Sequence, residues 1–395
     1  MAVSPPARET VAAATNIASA RRILIVAGEA SGDHLGGDVA AQLRALTPNC
    51  DIFGVAGEHM RAAGVRPLIK LESVAGMGGT ELASTIGPVL SAFRTLVTAI
   101  RRKPPDLVIL VDFADFNLKL AWFAKRAGVP VLYYVPPQVW AWRRWRIHTL
   151  VRRSDRIAVV FPFEAELYAK AGGRVSFVGH PLLDRVATAQ DRSSTLAQYG
   201  FAPRGRLLAV LPGSRRGEIR HLLRPMLEAA RVLAADHDLE PVIALASTLT
   251  LEDLRAAAGA EALAVIRVIE GDTYSMIAAS EIALVASGTA TLEAALLGCP
   301  MVIAYKLSAL SYLVGRILIK GVDFIGLPNL LAGRRLVPEL IQYQVTPVNL
   351  VRAAEPLLAP ALHSEIATQL RALRERLGPP GAAARVASMA LEMIG

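Results

Sequence analysis

A chain of 395 residues, 53% of them hydrophobic, can bury a large core and has room for two domains. A net charge of +9 and a pI near 9.8 suit an anionic partner: nucleic acid, a phosphorylated substrate or an acidic lipid surface. Mean hydropathy is +0.39, yet Glu293, Lys306, Arg316 and Lys320 interrupt the long apolar regions too often for a bilayer-crossing helix, and two distant cysteines, Cys50 and Cys299, make no disulfide framework and fit a reducing cytoplasm.

Residues 1–20 contain Pro5, Pro6, Arg8 and Glu9 and no apolar block, so a disordered tail is expected there and not a signal peptide. Beyond them, short Val/Ile/Leu runs alternate with helical stretches, the pattern of βα units in parallel sheets. Predicted strands are Ile23–Ala27, Asp51–Val55, Leu107–Val111, Val131–Val135, Ile157–Phe161 and Val175–Val178, then Leu207–Leu211, Val242–Ala246, Ala264–Ile269, Ile282–Val285 and Met301–Ala304. The expected class is α/β, with two Rossmann-like doubly wound domains facing across a cleft. The first spans 21–185 and the second 207–346, joined by a polar linker over 186–206. Ala/Leu/Arg-rich helices over 347–395 are expected to pack back on the first domain, or on a partner subunit in a homodimer. Ligands of such sheets sit at the carboxyl ends of the strands.

In chain order, the first strand runs into Ala27–Gly37, a glycine-rich turn that lacks the G-x-G-x-x-G dinucleotide pattern. Asp33 there is expected to cap its helix, with His34 and Asp38 on a solvated face and no metal bound. Over Ser73–Ile100, Met77, Leu82, Ile86, Leu90, Phe93, Val97 and Ile100 recur at near-helical spacing, either as core or as a groove for apolar chains. The next strand ends in Asp112-Phe113-Ala114-Asp115-Phe116-Asn117. Two carboxylates at the end of a buried strand are candidates for a general base, Asp112 first and Asp115 second, because desolvation raises a carboxyl's proton affinity. Asp115 could equally cap a helix starting near Asn117.

From Asn117 to Phe163 there are nine Lys/Arg against one acid, Asp155, and Arg143, Arg144, Trp145 and Arg146 lie at their centre. That combination points to a membrane-docking surface, with indoles at headgroup depth, and away from nucleic acid, for which no recognisable module is present. In the second half, Gly213-Ser214-Arg215 opens a helix where an arginine and a helix N-terminus could neutralise a diphosphate. Asp236-His237-Asp238 precedes a strand, at the wrong edge for a metal in the cleft. Ser287-Gly288-Thr289 forms a small-residue turn after the Ile282–Val285 run, and Glu293 follows one helical turn later. Backbone donors there suit a phosphate, and the carboxylate suits hydroxyls of the same nucleotide.

Taken together, these segments closely resemble the lipid-A-disaccharide synthase family, inverting glycosyltransferases of the two-Rossmann-domain GT-B type. The resemblance runs from about Arg22 into the C-terminal region and rests on Ala27–Asp33, Asp112–Asn117, Val139–Arg143, Leu211–Arg215, Ala286–Glu293 and Leu327–Gly333. Ala114 and Pro137-Gln138 depart from the family pattern without removing a titratable group. The resemblance implies transfer of a 2,3-diacylglucosamine unit from UDP to the 6-hydroxyl of 2,3-diacylglucosamine 1-phosphate, without a metal or other cofactor. It places the base on Asp112, the diphosphate arginine on Arg215, the nucleotide loop on Ser287-Gly288-Thr289 with Glu293, and a donor-site asparagine on Asn329. The expected setting is the cytoplasmic face of an anionic inner membrane. Two alternatives are a UDP-sugar 2-epimerase of the same fold and a peripheral membrane-binding protein with a vestigial cleft.

Overall fold

The computed structural model describes residues 21–74, 82–137, 145–264, 266–307 and 323–395, with backbone alone over 82–86. Met77, Arg143 and Arg144, the side chains of Leu82 and Ile86, and the tail 1–20 lie outside that description.

Two parallel sheets carry the chain. The first contains β1 (Arg22–Ala27), β2 (Asp51–Ala56), β3 (Arg66–Lys70), β4 (Leu107–Val111), β5 (Val131–Tyr134), β6 (Arg156–Val159) and β7 (Val175–Phe177), in the order β3-β2-β1-β4-β5-β6-β7. The second contains β8 (Arg206–Leu211), β9 (Leu239–Leu245), β10 (Arg267–Glu270), β11 (Ser280–Ala286), β12 (Met301–Tyr305) and β13 (Glu339–Ile341), ordered β10-β9-β8-β11-β12-β13. Neighbours such as β1 and β4, or β8 and β11, pair in parallel. Helices cover both faces, so β4 is buried on every residue and β11 on all but Glu281, and both carry unbroken apolar runs in sequence.

Two strands have no counterpart in the sequence reading, and both lie at sheet edges. β3 is largely exposed and contains Pro67, which an edge tolerates. β13 is three residues long and includes Glu339. Neither carries the apolar run that marks a central strand.

The stretch 186–206 is more than a polar connector. Asp191 caps a helix, Arg192–Gln198, by accepting the Ser194 amide at 3.1 Å, and Thr195, Leu196 and Phe201 are buried. The C-terminal helices bridge the two sheets. Helix Pro360–Arg376 packs on Thr289–Leu297 in the second half, and helix Ala382–Ile394 lies on Ala30–Leu46 and against β4 in the first. The chain crosses between halves twice, and the crossings are bonded together. The His180 amide donates to the Leu377 carbonyl at 3.0 Å, and the Asp184 carboxylate accepts the Gly381 amide at 2.9 Å.

In each sheet the strand order reverses once, between β1 and β4 and between β8 and β11. Connections leave in opposite directions at such a point, which opens a crevice at the carboxyl edge. Four of the sequence motifs occupy these two crevices: Gly28-Glu29 and Asp112-Phe113 in the first, Gly213–Arg215 and Ser287–Thr289 in the second.

Candidate active site

After β4 the chain makes an abrupt turn. Asp112 (φ 48°) and Phe113 (φ 51°) both adopt the left-handed conformation, which costs a non-glycine residue roughly 1–2 kcal/mol. Three contacts hold the turn. Asn117, fully buried, donates its amide to the carbonyls of Asp112 at 2.9 Å and Val111 at 3.2 Å and reaches Val26 of β1 at 3.4 Å. The Tyr133 hydroxyl donates to the Asp112 carbonyl at 2.8 Å. The Phe113 ring stacks on Phe116 at 4.7 Å. That ring lies directly over Gly28, where an added Cβ would meet Phe113 Cγ at 2.0 Å, so the first position after β1 must be glycine.

The turn leaves the Asp112 carboxyl half-buried at the crevice. Burial, and then the neighbouring Glu29 charge, push its pKa up to about 6, against the opposing pull of the Phe113 amide and of Arg215. Asp115 is placed differently. It sits in the first turn of helix Ala114–Arg126, which starts three residues earlier than the sequence suggests, and its exposed carboxylate pairs with Arg146 at 2.5 Å. Asp115 is therefore an ion-pair partner in this structure, and Arg146, with 13% of its side chain exposed, is the cation of that pair. Trp145, beside it, is 67% exposed.

In the second half, Arg215 is the N-cap of helix Arg216–His237 and reaches across the cleft to Glu29. Glu218 of the same helix accepts the Ser214 amide at 2.9 Å and the Arg215 amide at 3.3 Å. Gly213 (φ 117°) makes room for it, since a Cβ there would lie 2.3 Å from Glu218 Oε2. The turn after β11 is open: Gly288 and Thr289 are exposed at the head of helix Thr289–Leu297. Glu293, half-buried on that helix, has its pKa pushed up to about 7 by burial, countered by Arg185 and by a bond from the Tyr274 hydroxyl. Arg185 also donates to Asp38 at 3.0 Å.

Three expectations are corrected. Asn329 is fully buried and already engaged: its amide donates to Val337 and Glu339, each at 2.8 Å, and its oxygen accepts the Leu336 and Val337 amides. It stiffens the wall behind the cleft and has no hydrogen-bonding position turned toward a donor. Phe93 is partly buried and packs edge-on against Phe116 and Phe123, beside a core that includes Val97 and Ile100 further along the stripe. Asp33 is buried and caps not its own helix but Glu58–Ala62, accepting the Gly57 and His59 amides at 2.6 and 2.9 Å. Asp38, still partly exposed as expected, pairs with His59 as well as Arg185. Among the described residues no cluster of three or more His, Cys, Asp or Glu could hold a metal.

The architecture is that of two-Rossmann-domain nucleotide-sugar enzymes. Staphylococcus aureus MnaA, solved with UDP, superposes with a TM-score of 0.64 at 14% identity, over 93% of this chain and 94% of that one. CalG4, the calicheamicin glycosyltransferase, gives 0.61 at 17% identity, over 95% and 98%. Such distant likeness fixes the fold and leaves the chemistry open. Sequence decides it: the family model described as lipid-A-disaccharide synthetase matches residues 23–391, and the chain belongs to the lipid-A-disaccharide synthase family. The synthase of Geobacter metallireducens is 45% identical over 377 residues, 95% of this chain and 98% of that one, and that of Myxococcus xanthus is 42% identical over 375 residues, 94% and 97%. The protein is a glycosyltransferase of lipid A disaccharide synthesis, which sets aside the epimerase and scaffold alternatives.

The raised Asp112 pKa carries a consequence for stability. The folded state holds that proton more tightly than the unfolded chain does, so the contribution to folding is complete below the ordinary carboxylate range and is lost as pH rises through about 6. Asp112→Asn, which suits a left-handed turn, is expected to melt above wild type at pH 7.5, with the gap closing toward pH 4.5. Thermal melts across that range check it, and an Asn variant melting below wild type at pH 7.5 contradicts it.

Proposed function

We propose that the protein transfers a 2,3-diacylglucosamine unit from its UDP derivative onto the 6-hydroxyl of 2,3-diacylglucosamine 1-phosphate, with inversion and without a metal. The observation that carries this reading is Asp112: a carboxyl on a strained strand-end turn, at the cleft, with its proton affinity raised into the working range of a base. Asp112 takes the proton from the acceptor hydroxyl as oxygen attacks the anomeric carbon from the face opposite the leaving group. Arg215 meets the diphosphate, whose charge grows as the glycosidic bond breaks, and supplies the stabilisation that a cation would otherwise give. The open turn at Ser287-Gly288-Thr289 offers backbone donors, and Glu293 in its ionised form accepts from ribose hydroxyls. The UDP held by MnaA, on the same fold, supports a nucleotide as ligand.

Both substrates carry acyl chains, so they reside in a membrane. No helix among the described residues is long and apolar enough to cross one. We assign the docking surface to Arg143, Arg144 and Trp145, of which Trp145 is 67% exposed. Arg146 is left out of that surface by its pairing with Asp115.

Replacing Asp112 by Asn is expected to lower kcat by 10²-fold or more, roughly the worth of a positioned base, while leaving UDP affinity nearly unchanged. In the wild type, kcat/KM, which reports the free enzyme, is expected to fall on the acid side with a midpoint near pH 6. A variant retaining a tenth of wild-type kcat removes Asp112 from the role.

Arg215→Ala should weaken UDP binding and slow transfer together, costing about 2–4 kcal/mol in the transition state. Calorimetry with UDP and steady-state rates measure the two effects. EDTA should leave the wild-type rate unchanged, and activity restored by Mg²⁺ after chelation would overturn the metal-free mechanism.

The variant Arg143→Gln/Arg144→Gln/Trp145→Ala is expected to co-sediment less with anionic vesicles and to turn over bilayer-borne substrate more slowly. It should keep its rate on detergent-dispersed substrate. Each surface cation is worth roughly 1 kcal/mol of such binding. Sedimentation equal to wild type would move the docking surface elsewhere.

A further inference from the structure

Glu29 is a carboxylate that the reaction scheme above does not use. It stands at the N-cap of helix Ala30–Leu46 in extended backbone, and its side chain makes no capping bond to that helix. Instead it spans the cleft, with Oε2 2.9 Å from Arg215 Nη2. Glu218 approaches the same guanidinium from within the second half, 3.5 Å from Nη1, while its other oxygen caps the Ser214 and Arg215 amides. The anion-binding groups of this loop thus face two carboxylates of different kinds. Glu218 belongs to the loop and is anchored by its backbone. Glu29 is lent by the other half, through a bridge whose partners are 55% and 59% exposed. A pair so open to water is weak, and an anion of higher charge can displace it.

We infer that Glu29 is a placeholder for the diphosphate on Arg215 and a positioning residue for Asp112: it holds Arg215 across the cleft while the donor is absent, yields it to the diphosphate, and then faces Asp112 with its charge unbalanced. This rests on the reading of Arg215 as the partner of the diphosphate.

The groups facing Asp112 are few. Glu29 comes from the head of the first helix and Arg215 from the head of Arg216–His237. The Phe113 amide belongs to its own turn, and Tyr133 on β5 donates to its carbonyl. Beyond them Asp115 and Arg146 pair with each other. Glu29 and Arg215 act on Asp112 in opposite senses. A diphosphate that engages Arg215 removes the opposing positive charge and adds negative charge. Asp112 then holds a proton more tightly when an acceptor hydroxyl is to be deprotonated, and less tightly once UDP has left. When transfer is complete, Glu29 competes with UDP for Arg215 and eases its release.

Glu29→Gln keeps the shape of the N-cap and removes the charge. It is expected to tighten UDP binding by about two- to fivefold, the worth of one exposed ion pair, in calorimetry. The acid limb of kcat should also move to lower pH by roughly half a pH unit or more, since the charge that raises the Asp112 proton affinity is gone. In an Arg215→Ala background the same substitution should leave UDP affinity unchanged. Glu29→Asp keeps the charge but is one methylene too short to span the cleft. It should tighten UDP likewise with the acid limb in place, and it carries the test if the Gln variant does not fold. Unaltered UDP affinity in the Gln variant, an equal gain in both backgrounds, or an acid limb that stays at its wild-type pH overturns the inference. Wild-type UDP affinity in Arg215→Ala alone overturns the nucleotide reading beneath it, and that result is read without touching Glu29.

Discussion

Everything in the first half of the cleft depends on one buried amide. Asn117 lies where the strand order of the first sheet reverses, and its single NH₂ group reaches carbonyls of β1, of β4 and of the turn between β4 and its helix. Strand ends and turn meet there away from water, where an unpaired buried carbonyl is costly. Asn117 donates to all three carbonyls and in doing so fixes the backbone of Asp112 in a conformation that few residues choose. Val135 (φ 50°), at the end of neighbouring β5, is held in the same left-handed region, so strained residues gather at one edge. Strain of this kind persists only where surrounding contacts over-determine it, and here the contacts are an amide, a tyrosine hydroxyl and a stacked pair of phenylalanines.

The second half solves a related problem with opposite charge. Its loop after β8 must hold an arginine at a helix head where amide donors also point outward. Glu218 caps those amides from inside the helix, and Gly213 exists because that carboxylate occupies the space of a side chain. The cap uses the helix donors for structure and leaves the guanidinium as the mobile cation of the site. Across the cleft, Arg215 and Arg185 each answer carboxylates from both halves: Arg215 faces Glu29 and Glu218, and Arg185 faces Asp38 and, through Tyr274, Glu293.

The sequence made the central strands and their loops legible because both faces of each sheet are covered: Leu107–Val111 and Leu284–Val285 could hardly be anything but buried strand. Edge strands β3 and β13 escaped, since an edge needs no apolar run. Asp112 could be singled out as a carboxylate at a strand end, but the left-handed turn beneath it left no trace in composition. Asp115 resembled it in sequence, and only the helix start at Ala114 and the position of Arg146 separate the two. The long-range partners were the hardest to foresee. Glu29 and Arg215 are 186 residues apart, as are the ends of no sequence motif, and nothing local to either names the other. Phe93 and its neighbours have the spacing of a helix face, and spacing alone does not say whether that face meets a lipid chain or the next helix; Phe116 and Phe123 supply the answer.

Two carboxylates of the cleft, Asp112 and Glu293, follow the strand at a switch point, one at the strand end and the other in the next helix, and both have their proton affinity raised first by burial. Their tasks call for opposite states: a base must release and take up a proton within a cycle, whereas an acceptor of hydroxyl hydrogens has to stay ionised. The surroundings differ in that sense. Asp112 has a like charge beside it in Glu29, which adds to the effect of burial, and Glu293 has Arg185 and the Tyr274 hydroxyl, which oppose it. Burial supplies a common starting point, and the sign of the neighbour sets the two carboxylates apart. Because Arg185 is tethered to Asp38 on the first helix while Glu29 reaches Arg215 on the second half, each carboxylate is tuned by contacts that cross the cleft. Any change in the distance between the halves therefore acts on the protonation of both at once.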